Sequence, residues 1–125
     1  MTENEISYKI RAAIYKVYNS LGPGLLESIY ESVLAYELKK MGLDINRQVE
    51  MPFLYDNIKF DAGYRIDIIV ESKVIIEIKS VENLAPVHHK QVLTYLKITK
   101  KKLGILVNFN CDNIEKSIFR KVNGL

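Results

Sequence analysis

Asp67, Glu77 and Lys79 lie in the run Tyr64–Ser80, YRIDIIVESKVIIEIKS, and their types and spacing make them the best candidates for chemistry in this chain. The run is two β-rich segments around a short polar turn. Side chains alternate faces along a strand, so register decides which of them meet. A three-residue loop of Glu71, Ser72 and Lys73 is a common hairpin connection. It opposes Val70 to Val74, Ile68 to Ile76 and Ile66 to Ile78, making one face wholly apolar. The other face then pairs Ile69 with Ile75, Asp67 with Glu77 and Arg65 with Lys79. A two-residue loop would bury the Glu77 charge among isoleucines, unpaired and costly. The pattern therefore predicts two carboxylates side by side, their Cβ atoms about 4.5–5.5 Å apart, with a lysine on the same face.

Adjacent carboxylates repel, and two arrangements relieve them. A divalent cation does so directly: Mg²⁺ favours one or two carboxylates together with waters and phosphate oxygens. Alternatively, Arg65 and Lys79 neutralise the pair as a cross-strand charge cluster. The apolar reverse face makes these strands core elements, and that setting favours the cation.

The elements that must position this pair follow from periodicity. Ile6, Ile10, Ala13, Ile14, Val17, Tyr18 and Leu21 recur at helical spacing, predicting an amphipathic helix over about 4–20 that stops at Gly22-Pro23-Gly24. A second helix is predicted over about 25–41, with Leu26, Ile29, Tyr30, Val33, Leu34, Leu38 and Met41 facing the core. Strands follow at about 46–55 and 58–60, joined by an Asp56-Asn57 turn, and then the hairpin. Pro86 suits the first turn of a third helix over about 86–99. Leu103–Phe109 is nearly all apolar, as in a strand buried on both faces. Ile114, Ile118 and Val122 predict a short terminal helix over about 113–122. The order α, α, β, β, β, β, α, β, α, with strand–helix–strand at 73–109, implies a parallel crossover and an α/β sheet covered by helices. On the third helix His88, Gln91 and Tyr95 share one face, which can be brought over the carboxylates.

Composition sets the outer bounds. The 125 residues make one domain, 1–125. Hydrophobic and charged contents of 48% and 26% are those of an ordinary soluble globular chain, and a net charge of +3 permits a nucleic-acid partner without demanding one. The single cysteine, Cys111, excludes an internal disulfide and a Cys-based zinc site and suits the cytoplasm. The N-terminus lacks the layout of a secretory signal, and no apolar run approaches the ~20 residues of a membrane helix. Lys97, Lys100, Lys101 and Lys102, with Arg47, Lys116, Arg120 and Lys121, are available for phosphate contact or simply for solvation.

GPGLLESIY at Gly22–Tyr30 contains Gly24-x-x-Glu27-x-x-Tyr30, and in this the chain resembles the GxxExxY protein family of the PD-(D/E)XK nuclease superfamily. The resemblance extends to YRIDIIV with Asp67, IIEIKSV with Glu77 and Lys79, APVHHKQVLTYLK with His88, Gln91 and Tyr95, and LGILVNF. The proline that usually precedes the superfamily's aspartate is Ile66 here. The resemblance implies an αβββαβ core, a mixed central sheet flanked by helices, with an extra N-terminal helix. It implies that Asp67, Glu77 and the Ile78 carbonyl hold Mg²⁺ or Mn²⁺, with Glu27 as a helix-borne acid that takes part directly or through water. Lys79 would orient the attacking water, and Gln91 would support the site. His88, Tyr30 and Tyr95 would be accessory, Tyr30 by packing. The implied function is metal-dependent hydrolysis of nucleic-acid phosphodiesters. The alternative is a catalytically silent nuclease-like module that binds nucleic acid or a protein. A third reading is an interaction domain in which the acidic pair is only charge balance. DNA versus RNA and the oligomeric state, a homodimer included, stay open.

Overall fold

The computed structural model describes the backbone of residues 1–125 and every side chain but that of Ala62. Two helices come first, α1 (Glu3–Leu21) and α2 (Glu27–Lys40). Strands β1 (Ile45–Tyr55), β2 (Ile58–Val70) and β3 (Val74–Lys79) follow, then α3 (Pro86–Thr99), β4 (Leu103–Asn108), one 3-10 turn (Ile114–Ser117) and β5 (Ile118–Val122). Among the described residues, the strands form one sheet in the order β1-β2-β3-β4-β5, parallel only between β3 and β4. This is the expected mixed α/β architecture with an extra N-terminal helix, α1. Among the described residues, no helix is long and apolar enough to cross a membrane.

Each face of the sheet carries its own helical layer. Ile68, Val70, Val74, Ile76 and Ile78 bury against Ile6, Ile10, Ile14 and Val17 of α1 and Tyr30, Leu34 and Leu38 of α2. The opposite face packs Ile66, Ile69 and Ile75 under Tyr95 and Leu96 of α3. Gly104 lets α3 sit close, since a Cβ there would lie 2.6 Å from Val92 Cγ1. At the start of α1, Thr2 Oγ1 accepts from the Glu5 N–H while Glu5 Oε1 accepts from the Thr2 N–H, which satisfies two end donors.

The hairpin register is the one the isoleucine pattern predicts: Val70 pairs with Val74, Ile69 with Ile75 and Ile68 with Ile76 around the loop Glu71–Lys73. Glu71 and Ser72 take the left-handed conformation that this loop needs (φ 53° and 55°).

Four expectations are corrected. Ile66 does not join Ile68, because the alternation slips at the Gln48/Asp67 level. Ile45–Val70 and Arg47–Ile68 face α1 and α2, whereas Val49–Ile66 face α3. Gln48 marks the slip with φ 49°, a left-handed value uncommon outside glycine. The terminal helix is also absent. The four-residue spacing of Ile114, Ile118 and Val122 is split between a 3-10 turn and β5, which completes the otherwise open edge of the fully buried β4. Finally, Leu26, Ile29 and Met41 are exposed rather than core, and α2 instead buries Glu31 and Ala35. The predicted strands at 58–60 and 64–70 are one continuous β2.

Candidate functional site

Beyond Ile68–Ile76 the paired register of β2 and β3 ends, and two carboxylates take over the bonding between the strands. Glu77 Oε1 accepts from the Asp67 N–H at 3.0 Å, and Asp67 Oδ2 accepts from the Ile78 N–H at 2.8 Å. Each acid is thus pinned by one oxygen to the other's strand, which fixes the direction of its second oxygen. Lys79, two residues on from Glu77 and so on the same face, is half-buried and makes no ion pair among the described residues.

Burial sets the electrostatics. The Glu77 carboxyl is pushed up to about 8, first by burial and then by the charge of Asp67. Asp67 is raised too, chiefly by burial, with the Glu31 and Glu27 charges adding and the Ile78 N–H and Lys79 opposing. Two desolvated carboxylates, one of them raised further by the charge of the other, are a donor set that suits a hard divalent cation. Among the described residues, however, no three His, Cys, Asp or Glu side chains are placed to share one ion. Glu27 is exposed at the first residue of α2, within reach of the Asp67 field but not clustered with the pair.

The α2 acid that the structure ties to Asp67 is Glu31, which the sequence reading missed. Glu31 is 6% exposed. Arg47 Nη2 and Nε both donate to Glu31 Oε2, at 2.9 and 3.1 Å, and the Gln48 amide donates to Glu31 Oε1. The same Gln48 amide reaches Asp67 Oδ1 at 3.5 Å. The available signal was spacing, since Glu31 is one turn beyond Glu27 and on the same side of the helix. Arg47, a candidate phosphate contact by sequence, is committed to Glu31.

The α3 residues separate. Tyr95 is buried, its hydroxyl donates to the Arg65 carbonyl at 3.1 Å, and burial, with Glu77 and Asp67 nearby, pushes its phenol up. Gln91, one turn earlier, is half-buried and makes no hydrogen bond to either carboxylate among the described residues; Lys90 is exposed. His88 Nδ1 accepts from the Ala85 N–H at 3.0 Å and so serves the start of the helix.

Tyr30 packs. It is fully buried and stacked on Phe109 with ring centroids 4.5 Å apart. Its hydroxyl donates to the Gly22 carbonyl at 2.5 Å and accepts from the Leu25 N–H at 3.1 Å. It thereby holds the Gly22–Gly24 turn, where both glycines have positive φ (69° and 97°). Ser80 ties the end of β3 to the same turn by donating to the Leu25 carbonyl.

A sequence model of the PD-(D/E)XK nuclease superfamily matches residues 4–121. No curated protein and no solved structure matches the chain.

Proposed function

From the membership of this chain in the PD-(D/E)XK nuclease superfamily, we propose that it hydrolyses phosphodiester bonds of nucleic acid at Asp67, Glu77 and Lys79. The observation that carries this reading is the paired acids at the point where β2 and β3 part, with Lys79 on the same face.

Asp67 and Glu77, with the Ile78 carbonyl, would hold a divalent cation, Mg²⁺ or Mn²⁺, which when bound makes water more acidic and neutralises phosphate oxygens. The N–H bonds to Asp67 Oδ2 and Glu77 Oε1 keep both carboxylates in place before any substrate arrives, so little reorganisation is needed. Lys79 orients the attacking water and stabilises charge growing on the phosphate. The water oxygen bonds to phosphorus, one ester P–O bond breaks, and the departing oxygen takes a proton. Tyr95 holds β2 through the Arg65 carbonyl, fixing the strand that carries Asp67. Glu31, neutralised by Arg47, sets the Gln48 amide against Asp67. Glu27 stands at the exposed rim, where it can act through water.

The test is incubation with plasmid DNA, single-stranded DNA and RNA in Mg²⁺ or Mn²⁺. Cleavage is expected that a chelator stops and that Asp67→Asn and Lys79→Ala each reduce at least a hundredfold, the lower range for a positioned catalytic group. Absence of cleavage on all three substrates, or activity untouched by both substitutions, overturns the reading.

A further inference from the structure

A cleft of about 630 Å³ opens beside the proposed reaction centre. Asn108 lies on its floor, and Asn108 is the register partner of Lys79 across β3 and β4, so the two share a face and the cleft begins one strand away from the lysine. Pro23, in the turn held by Tyr30, forms part of one wall, and the T-shaped pair His89 and Phe119 forms another.

The lining has a definite chemistry. Asn108 is already satisfied: its Oδ1 accepts from the Val81 and Asn110 N–H groups, and its Nδ2 donates to the Val81 carbonyl. It is structural floor. Glu82, Asn83, Asn110 and Asp112 line the cleft, and none of their side chains makes a hydrogen bond or ion pair among the described residues. Two carboxylates that only accept, and two amides that both donate and accept, disfavour a phosphate and suit a group bearing N–H donors. The volume is in the range of small-molecule sites.

We propose that this cleft is a nucleobase pocket, selective for bases with an exocyclic amine (adenine, cytosine or guanine) on the nucleotide next to the phosphate held at Asp67 and Glu77. This rests on the nucleic-acid reading above. Glu82 and Asp112 accept from the exocyclic amine, as acidic side chains do on a cytosine edge, while Asn83 and Asn110 meet the ring nitrogens and carbonyls. Thymine and uracil offer no exocyclic amine and bind less well.

The test uses neutral nucleosides, which probe the cleft apart from the phosphate site. Adenosine and cytidine, titrated into isotopically labelled protein, should shift the amide signals of Asn83, Asn110 and Cys111 and bind about tenfold more tightly than thymidine, the lower end of what one base-edge pairing discriminates. Glu82→Ala combined with Asp112→Ala should erase that preference and leave thymidine binding unchanged. Equal binding of the nucleosides, or shifts confined to other regions, overturns the pocket. A parallel titration of Lys79→Ala protein, which keeps the acidic pair, with oligo(dA), oligo(dC) and oligo(dT) in Mg²⁺ separates the two readings. Oligonucleotides bound without base preference overturn the pocket and leave the nuclease reading standing. Nucleosides bound selectively with no oligonucleotide bound overturn the nuclease reading and support the pocket.

Discussion

Asp67 and Glu77 exchange bonds across two strands: the Glu77 carboxylate accepts from the backbone of Asp67, and the Asp67 carboxylate accepts from the backbone one residue past Glu77. The acids therefore substitute for a stretch of β-ladder. Removing either one disturbs the sheet as well as the proposed chemistry, so amide replacements, which keep an acceptor, are better probes than alanine.

The first prediction concerns pH. Glu77 is raised from its ordinary 4.5 to about 8, so the folded state holds a proton that the unfolded chain has already lost in that window. The contribution of Glu77 to stability is full below about 4.5 and is lost as pH rises through about 8. Asp67→Asn removes the neighbouring charge that burial makes so costly. Melting temperature at pH 9 should rise by roughly 3–6 °C, on the order of 1 kcal/mol for a domain of this size. The wild-type decline between pH 5 and 8 should also flatten.

Cation binding should oppose that decline. Mg²⁺ or Mn²⁺ at about a hundred times its dissociation constant stabilises by about 2.7 kcal/mol through mass action. Thermal denaturation should show the increase in wild type and in Lys79→Ala and not in Asp67→Asn. Because the proton on Glu77 must leave first, cation affinity should rise with pH up to about 8 and then level off.

Glu31 and Arg47 give a third test. Arg47→Met leaves the buried Glu31 carboxylate with only the Gln48 amide, and because Arg47 is itself 38% exposed the expected cost is about 1–3 kcal/mol. The double substitution Arg47→Met with Glu31→Gln should recover most of that loss in urea denaturation. If the single and double variants are equally destabilised, the ion pair is not the cause.

Tyr30→Phe keeps the ring stack on Phe109 and deletes two hydrogen bonds to the Gly22–Leu25 turn. The expected cost is about 1–3 kcal/mol. Amide hydrogen exchange should quicken at Leu25 with little change in β3.

The candidate site was legible where one rule governed. The alternating isoleucines around Glu71–Lys73 could satisfy only one register without burying Glu77 among them, and the structure has that register. Ile66 was not legible, because its face depends on the slip at Gln48, a glutamine whose residue type gives no warning of positive φ. Glu31 looked like one more acid on a charged helix; its partners, Arg47 and Gln48, are brought to it only by tertiary packing. The terminal segment carries both periods, a four-residue one through Ile114, Ile118 and Val122 and a two-residue one through Ile118, Arg120 and Val122. The open edge of β4 decided between them.

The one parallel pairing, β3 with β4, has a kinetic consequence. β1–β2–β3 and β4–β5 are each antiparallel neighbours along the chain and can form by closing short loops. Joining them requires the whole of α3 to be laid across the sheet first, a long closure whose entropy must be spent before its contacts return anything. Asp67 and Glu77 lie on the first unit, whereas Asn108 and Phe119 of the cleft lie on the second. During folding, the acidic pair can therefore be assembled before the cleft beside it exists.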